Sequence, residues 1–174
     1  RTDDISRNPE LVTNLRQVGN TWILMGVENN SPAILKDFKK VSTVNDAIQA
    51  VKILKYNDIF SHCMFIIGSR KDTAGSIEQV CQFSLDLNPD LALYTVLTPY
   101  PGTQIHENAL QNGWIEDTNY AHYDMAHAIM PTETVSRRQV QEELYRCYRA
   151  FYGSLSRNIA GLFSKNKIKK RVTR

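Results

Sequence analysis

The chain has 174 residues, 42% of them hydrophobic and 9% aromatic, with 21 Lys and Arg against 18 Asp and Glu for a formal net charge of +3. This is an ordinary globular composition with room for one core. No apolar run approaches the roughly 18 residues that span a bilayer, and the opening RTDDISRNPE lacks the charged-then-apolar order of a signal peptide, so a soluble, cytoplasmic protein is expected.

The first predicted helix starts at Asn8-Pro9-Glu10, because Asn caps free amides and Pro loses nothing at the first helical position. Leu11, Leu15 and Val18 share one face, and Gly19 supplies a left-handed stop. TWILMGVE, 21 to 28, is too short and too continuously apolar for a surface helix and reads as a buried strand. Ser31-Pro32 opens a short helix to Phe38. Thr43 with Asp46 opens a longer one, with Val44, Ala47, Ile48, Val51 and Leu54 inward. The second strand is CMFIIG, 63 to 68. After the turn SRKDT comes a helix marked by Ile77, Val80, Cys81 and Leu85, which Asn88-Pro89 ends.

LALYTVLT, 91 to 98, is the third strand. Three apolar strands separated by helices predict parallel βα units, since parallel neighbours need long crossovers. The strand runs into TPYPGT, and Thr103 then caps a helix with Ile105, Ala109 and Leu110 inward and Gly113 at its end. A polar stretch rich in Tyr and His leads to a long final helix. That helix opens with the capping box Ser136 to Gln139, and its stripe is Val140, Leu144, Cys147 or Tyr148, Phe151, Leu155 and Ile159. Glu142 and Arg146 are spaced for an i,i+4 pair, and the helix is expected to dock on its own chain. The tail KNKIKKRVTR, 165 to 174, holds six bases, which leaves 15 bases against 18 acids in the rest of the chain. A solvated tail is the simpler reading of that run, with a nucleic-acid or anionic-lipid contact as the alternative.

In parallel α/β folds the ligand meets the carboxyl ends of the strands, here Glu28 to Ser31, Gly68 to Thr73 and Thr98 to Thr103. Glu28 suits sugar hydroxyls or an ammonium group, and equally a salt bridge or a helix cap. Gly68 lets a ligand approach. Arg70 and Lys71 read as an anion contact or as solvated turn charges. Phosphate-loop and dinucleotide glycine motifs are absent, as are G-x-S-x-G and H-E-x-x-H. His122, His127 and Asp124 form a weak metal candidate. Cys63, Cys81 and Cys147 are too irregularly spaced for a disulfide framework or a metal set and read as buried packing residues.

Taken together, GVENNSPAILKDFKK with TVNDAIQAVKILK, then FIIGSRKDT with SIEQVCQFSLDLNPD, then LYTVLTPYPGTQIHENALQNGWI resemble the second half of a radical S-adenosylmethionine (SAM) barrel. The likeness is to the B12-binding type that includes anaerobic magnesium-protoporphyrin monomethyl ester cyclase and related Fe-S oxidoreductases. It implies half of a TIM-like partial barrel over residues 1–117, a post-barrel segment with the long helix over 118–164, and the basic tail over 165–174.

The resemblance implies SAM contacts by position. Gly26, Val27, Glu28 and Ser31 fit the family's G-[IV]-E-S-G-S string, with Asn29 and Asn30 as departures. Ile66, Ile67 and Gly68 fit the fifth-strand pattern, although SRKDT departs from its Pro-Gly-Glu. Thr98, Pro99, Tyr100 and Pro101 fit the turn beside the adenine. The family's C-x-x-x-C-x-x-C, which holds a [4Fe-4S] cluster, is absent. A fragment is therefore expected, without catalytic residues of its own and inactive alone. Its cluster ligands lie outside this chain, cobalamin serves in the full-length protein, and a small-molecule substrate meets the adenosyl radical there. An isolated half barrel also exposes two sheet edges, which predicts dimerisation through them, a borrowed covering element such as the final helix, or marginal stability. The competing class is a noncatalytic α/β module that binds a partner or nucleic acid through the long helix and basic tail.

Overall fold

The structure, a computed structural model, describes residues 1–153 and 166–172. Three parallel strands, β1 (Trp22–Glu28), β2 (Phe60–Ile67) and β3 (Leu91–Val96), form one sheet in the order β1-β2-β3. The helices are α1 (Thr2–Arg7), α2 (Pro9–Gln17), α3 (Pro32–Asp37), α4 (Val44–Tyr56), α5 (Ala74–Leu87), α6 (Gln104–Gln111), α7 (Arg137–Tyr152) and α8 (Lys167–Val172). The expected α/β architecture of parallel βα units followed by a long helix is therefore present. Among the described residues no helix is long and apolar enough to cross a membrane.

The described residues cover only one face of the sheet. Met25, Val27, Cys63, Phe65, Ile67, Ala92, Tyr94 and Val96 point into the core, where α1 and α4 pack at one end and α5 and α7 at the other. On the opposite face Leu24 is exposed, while His62, Met64, Ile66, Leu91 and Leu93 are half-buried. This corrects the reading of 21–28 as a fully buried strand: Trp22 and Leu24 are 43% and 54% exposed. β2 also begins three residues earlier than its apolar run: His62 lies on the open face, while Ser61 is buried on the covered face and is satisfied by Asp90, whose carboxylate accepts from its N–H and its hydroxyl at 2.8 Å.

Several local readings shift. An unpredicted helix, α1, buries Thr2, Asp3 and Ile5 and donates Ser6 Oγ to Asp46 Oδ1 at 2.6 Å. Its presence diverts Asn8, whose side chain donates to Asp4 O instead of capping α2. In α2 the inward residue is Val12, while Leu11 and Val18 are exposed. In α6 the buried residues are His106 and Ala109, with Leu110 exposed. Arg146 pairs with Glu143 at 2.6 Å and reaches Glu78 of α5 at 3.5 Å, so Glu142 pairs with Arg138 instead. The predicted stripe positions Leu155 and Ile159 lie outside the described residues. The basic tail contains α8, and the preceding Asn166 is buried and donates to Asp58 O at 3.0 Å.

The outer edge of β3 is closed by the chain itself. Tyr148 Oη accepts from Tyr94 N at 3.2 Å and donates to Tyr94 O at 2.8 Å. Tyr152 Oη does the same at Ala92, at 3.2 and 2.6 Å, and Val96 N donates to Met125 O at 2.8 Å. Four helical residues rise about 6 Å and two strand residues about 6.6 Å, so an i,i+4 tyrosine pair matches an i,i+2 pair of edge peptides. Of the alternatives for the exposed edges, a covering element is the one present at β3, and the final helix supplies it. The edge of β1 has no strand partner among the described residues.

Candidate functional site

The carboxyl ends of the strands converge on one rim, and each is shaped by a special backbone position. At β1 the register with β2 shifts between Gly26 and Glu28, a bulge, and Glu28 has φ 67. A side chain in this left-handed region costs about 1–2 kcal/mol, a strain found at functional sites. The carboxylate folds back over the bare backbone of Gly26, where an added Cβ would overlap it and sit 3.0 Å from Lys40 Nζ. Lys40 donates to Glu28 Oε1 at 2.8 Å, with the two side chains 19% and 18% exposed. The salt-bridge reading of Glu28 is therefore realised, at a place that also faces the uncovered side of the sheet. Beside the pair, a groove of about 520 Å³ lies between α3 and the start of α4, lined by Leu35, Lys36, Lys39, Lys40, Val41 and Val44 among others.

Asn29 and Ser31 tie this end down. Asn29 is buried, donates to Ile66 O at 3.3 Å and accepts from Ser31 N at 2.9 Å. Ser31 caps α3, accepting from Ile34 N. At the end of β2, Ile67 is fully buried in the helix-covered core and its carbonyl accepts from Leu97 N, so it serves packing. Gly68 has φ 78, and a Cβ there would meet Val140 Cγ1 at 2.9 Å and Val96 Cγ1 at 3.1 Å. The close approach this glycine allows is that of α7. Asp72 is buried, accepting from Ser69 N and Ser76 Oγ, and Thr73 caps α5 in a box with Ser76.

Arg70 is neither a free anion contact nor a solvated charge. Its guanidinium stacks over Trp114 at 4.3 Å and donates to Pro131 O at 2.6 Å, while its carbonyl accepts from Glu133 N, so it staples the post-barrel segment to the rim. Lys71 pairs with Asp37 at 2.7 Å. At the end of β3, Thr98 and Pro99 are buried and Tyr100 is exposed. Thr103 donates to Tyr100 O at 2.6 Å and caps α6, and Gly102 has φ 84. The strand, breaker and helix order of YTVLTPYPGTQI is thus a stiff turn carrying one exposed aromatic ring.

The remaining candidates lie elsewhere. His122 and His127 stack at 4.6 Å, each with Nδ1 bonded to a carboxylate, Asp117 at 2.8 Å and Asp124 at 2.9 Å. No group of three or more potential metal ligands occurs among the described residues. The three cysteines are free and buried. Burial pushes the Cys63 thiol up to about 12. Cys81 and Cys147 share a hydrogen bond between α5 and α7, which favours a first thiolate on Cys81 and pushes Cys147 up.

Comparison with known proteins supplies the relatives. No protein-family profile matches the chain. It is 29% identical over 152 residues to an anaerobic magnesium-protoporphyrin IX monomethyl ester cyclase of Cereibacter sphaeroides, covering 87% of this chain and 24% of that protein. It is 30% identical over 145 residues to an uncharacterised methyltransferase of Pyrococcus horikoshii, 83% of this chain and 32% of that protein. The relatives that it matches are radical SAM enzymes, and the partial match fits the C-terminal part of such an enzyme. A further relative, at 23% identity over 95% of this chain and 37% of its own length, is a bacteriochlorophyllide d C-8(2)-methyltransferase of Chlorobaculum tepidum. In fold the chain matches the Methanocaldococcus infernus Elp3, with TM-score 0.54 and 18% identity over 83% of this chain and 39% of that one. The chain therefore spans about a quarter to a third of the first two relatives.

The residues of this chain fit one of the two cofactors used by such enzymes and not the other. SAM needs a polar rim at the strand ends. Ser69 Oγ and Arg70 Nε are buried there without a hydrogen-bond partner among the described residues, and Glu28 and Tyr100 are at hand. A [4Fe-4S] cluster needs three converging thiolates, and Cys63 lies within β2 while Cys81 and Cys147 lie between outer helices. Lys40, Asn29 and Ser69 were not singled out in the sequence. Asn29 reads only as a departure from the family string, and Lys40 as one of two adjacent lysines.

Proposed function

We propose that this chain is the part of a radical SAM Fe-S oxidoreductase, cyclase or methyltransferase that contacts the adenine and ribose of SAM and supplies one wall of the substrate cavity. The observation that carries the reading is the strained Glu28 folded over Gly26 at the rim, on the uncovered side of the sheet. In this proposal residues 1–117 are the barrel portion, the cluster is held elsewhere in the full-length protein, and cobalamin serves there as a second cofactor. SAM held at this rim would supply hydrogen-abstraction chemistry toward a small-molecule substrate once the cluster held elsewhere gave it one electron.

The chain's own residues bind and orient. Glu28 accepts hydrogen bonds from a polar group of SAM, Ser31 and Asn29 hold the loop that presents it, and Gly68 keeps the second strand end tight against α7. Thr98, Pro99 and Tyr100 form the adenine-side turn, with the Tyr100 ring as the exposed surface. The segment from Trp114 to Val135, stapled by Arg70, closes the cavity against water. The test is equilibrium binding of SAM to the cluster-loaded full-length protein. Glu28→Ala weakens binding by about tenfold, the loss of one charge-assisted hydrogen bond. Unchanged affinity removes Glu28 from the site.

A further inference from the structure

We infer that the groove between α3 and the start of α4 is a binding site for an organic anion with an apolar body, a ligand other than the cofactor read at the strand ends. This stands independently of the SAM reading of the rim. α3 ends at Asp37, the chain reverses through Lys39 at a φ of 53, and α4 starts at Val44. The cavity left between them is about 520 Å³, within the roughly 300–1,000 Å³ of small-molecule sites. Leu35 and Val44 supply apolar wall, and Val41 stands 64% exposed at its edge.

The charge around this groove has one sign. Among the described residues that line it there is no Asp or Glu. Lys36 and Lys39 line it, are exposed and make no ion pair among the described residues, whereas Lys40 is committed to Glu28 at 2.8 Å. The acids nearest in sequence are engaged as well, Asp37 by Lys71 at 2.7 Å and Asp46 by Ser6 at 2.6 Å and Thr43 at 2.8 Å. Ser42 separates this groove from a solvated basic turn. It is 5% exposed, lines the groove, and its hydroxyl makes no hydrogen bond among the described residues. A buried hydroxyl without a partner carries a desolvation cost that a bound acceptor offsets. Beside it the Thr43 hydroxyl takes the amide of Asp46, so Val44 and Asn45, the first two residues of α4, present amides with no intrahelical partner. Two ammoniums, a hydroxyl and two amides are donors, and the head group that suits them is an anion such as a carboxylate or phosphate. Leu35, Val41 and Val44 take the apolar body.

The experiment titrates the full-length protein with octanoate and with octanamide, its uncharged analogue of the same chain length, by isothermal titration calorimetry, and locates bound octanoate by hydrogen–deuterium exchange. Octanoate is expected to bind about fivefold more tightly than octanamide and to slow exchange at residues 35–45. The double variant Lys36→Met with Lys39→Met, at two exposed positions, is expected to remove that difference, and Val41→Asp to weaken both probes. Ser42→Ala is expected to weaken octanoate by about threefold. Equal affinity for the two probes, an octanoate affinity untouched by the lysine pair, or no octanoate binding overturns the assignment. Displacement of octanoate by SAM overturns it as well, because the anion then occupies the cofactor's place and not a site of its own.

Discussion

Replacing Tyr148 by Phe removes one oxygen atom and nothing else, which makes it a clean probe of how the sheet edge is closed. The ring keeps its edge-on contact with Tyr94 at 5.2 Å. What is lost is the pair of hydrogen bonds at 3.2 and 2.8 Å to the Tyr94 peptide, whose N–H and C=O then lack a partner beside a half-buried ring. At about 1 kcal/mol for each net hydrogen bond, the cost is about 2 kcal/mol. Tyr152→Phe, at a hydroxyl whose residue is 40% exposed, costs less because water replaces it, about 0.5–1 kcal/mol. The assay is urea unfolding of the 174-residue chain by circular dichroism, with amide exchange at Ala92 and Tyr94. The double variant is expected to self-associate as concentration rises, since it bares the β3 edge. A Tyr148→Phe chain within about 0.3 kcal/mol of the parent, with unchanged exchange at Tyr94, refutes the edge-closure argument.

Two further predictions concern packing and pH. Gly68→Ala places a Cβ 2.9 Å from Val140 at a φ of 78, so it should lower stability by about 2–3 kcal/mol in the same unfolding assay, with partial recovery when Val140 is cut to Ala. Full stability in Gly68→Ala shows that α7 does not require this glycine. Asp46 is held at about 2, below the ordinary 3.8, first by the Ser6 hydroxyl and then by Thr43. Its contribution is present above pH about 4 and is lost as pH falls toward 2. Asp46→Asn should therefore narrow the stability gap between pH 5 and pH 2.5, and an unchanged pH slope rules out this carboxylate as the cause.

The order of elements was legible because buried parallel strands are short apolar runs between capped helices, and Thr43-Asp46 and Ser136-Gln139 cap as their spacing implies. What sequence hid was tertiary. The inward face of α2 is Val12 because α1, a six-residue helix with Ile5 as its one large apolar residue, packs beside it. The strand-end rule located the rim, yet only the fold shows that Gly68 serves a helix 70 residues later and that Ile67 points into the core. Lys40 carried no signal at all, since its partner is set by a left-handed turn at Lys39. Arg70, readable as an anion contact, is instead bound to Trp114 and Pro131, both contributed by the segment beyond the sheet.

The central claim is that the three strand ends of this chain form a SAM-contacting rim. Hydrogen–deuterium exchange of the cluster-loaded full-length protein, with and without saturating SAM, tests it most directly. The account predicts slowed exchange on SAM binding at residues 28–31, 68–73 and 98–103 together. Protection confined to other parts of the protein, with these three segments unchanged, would contradict it.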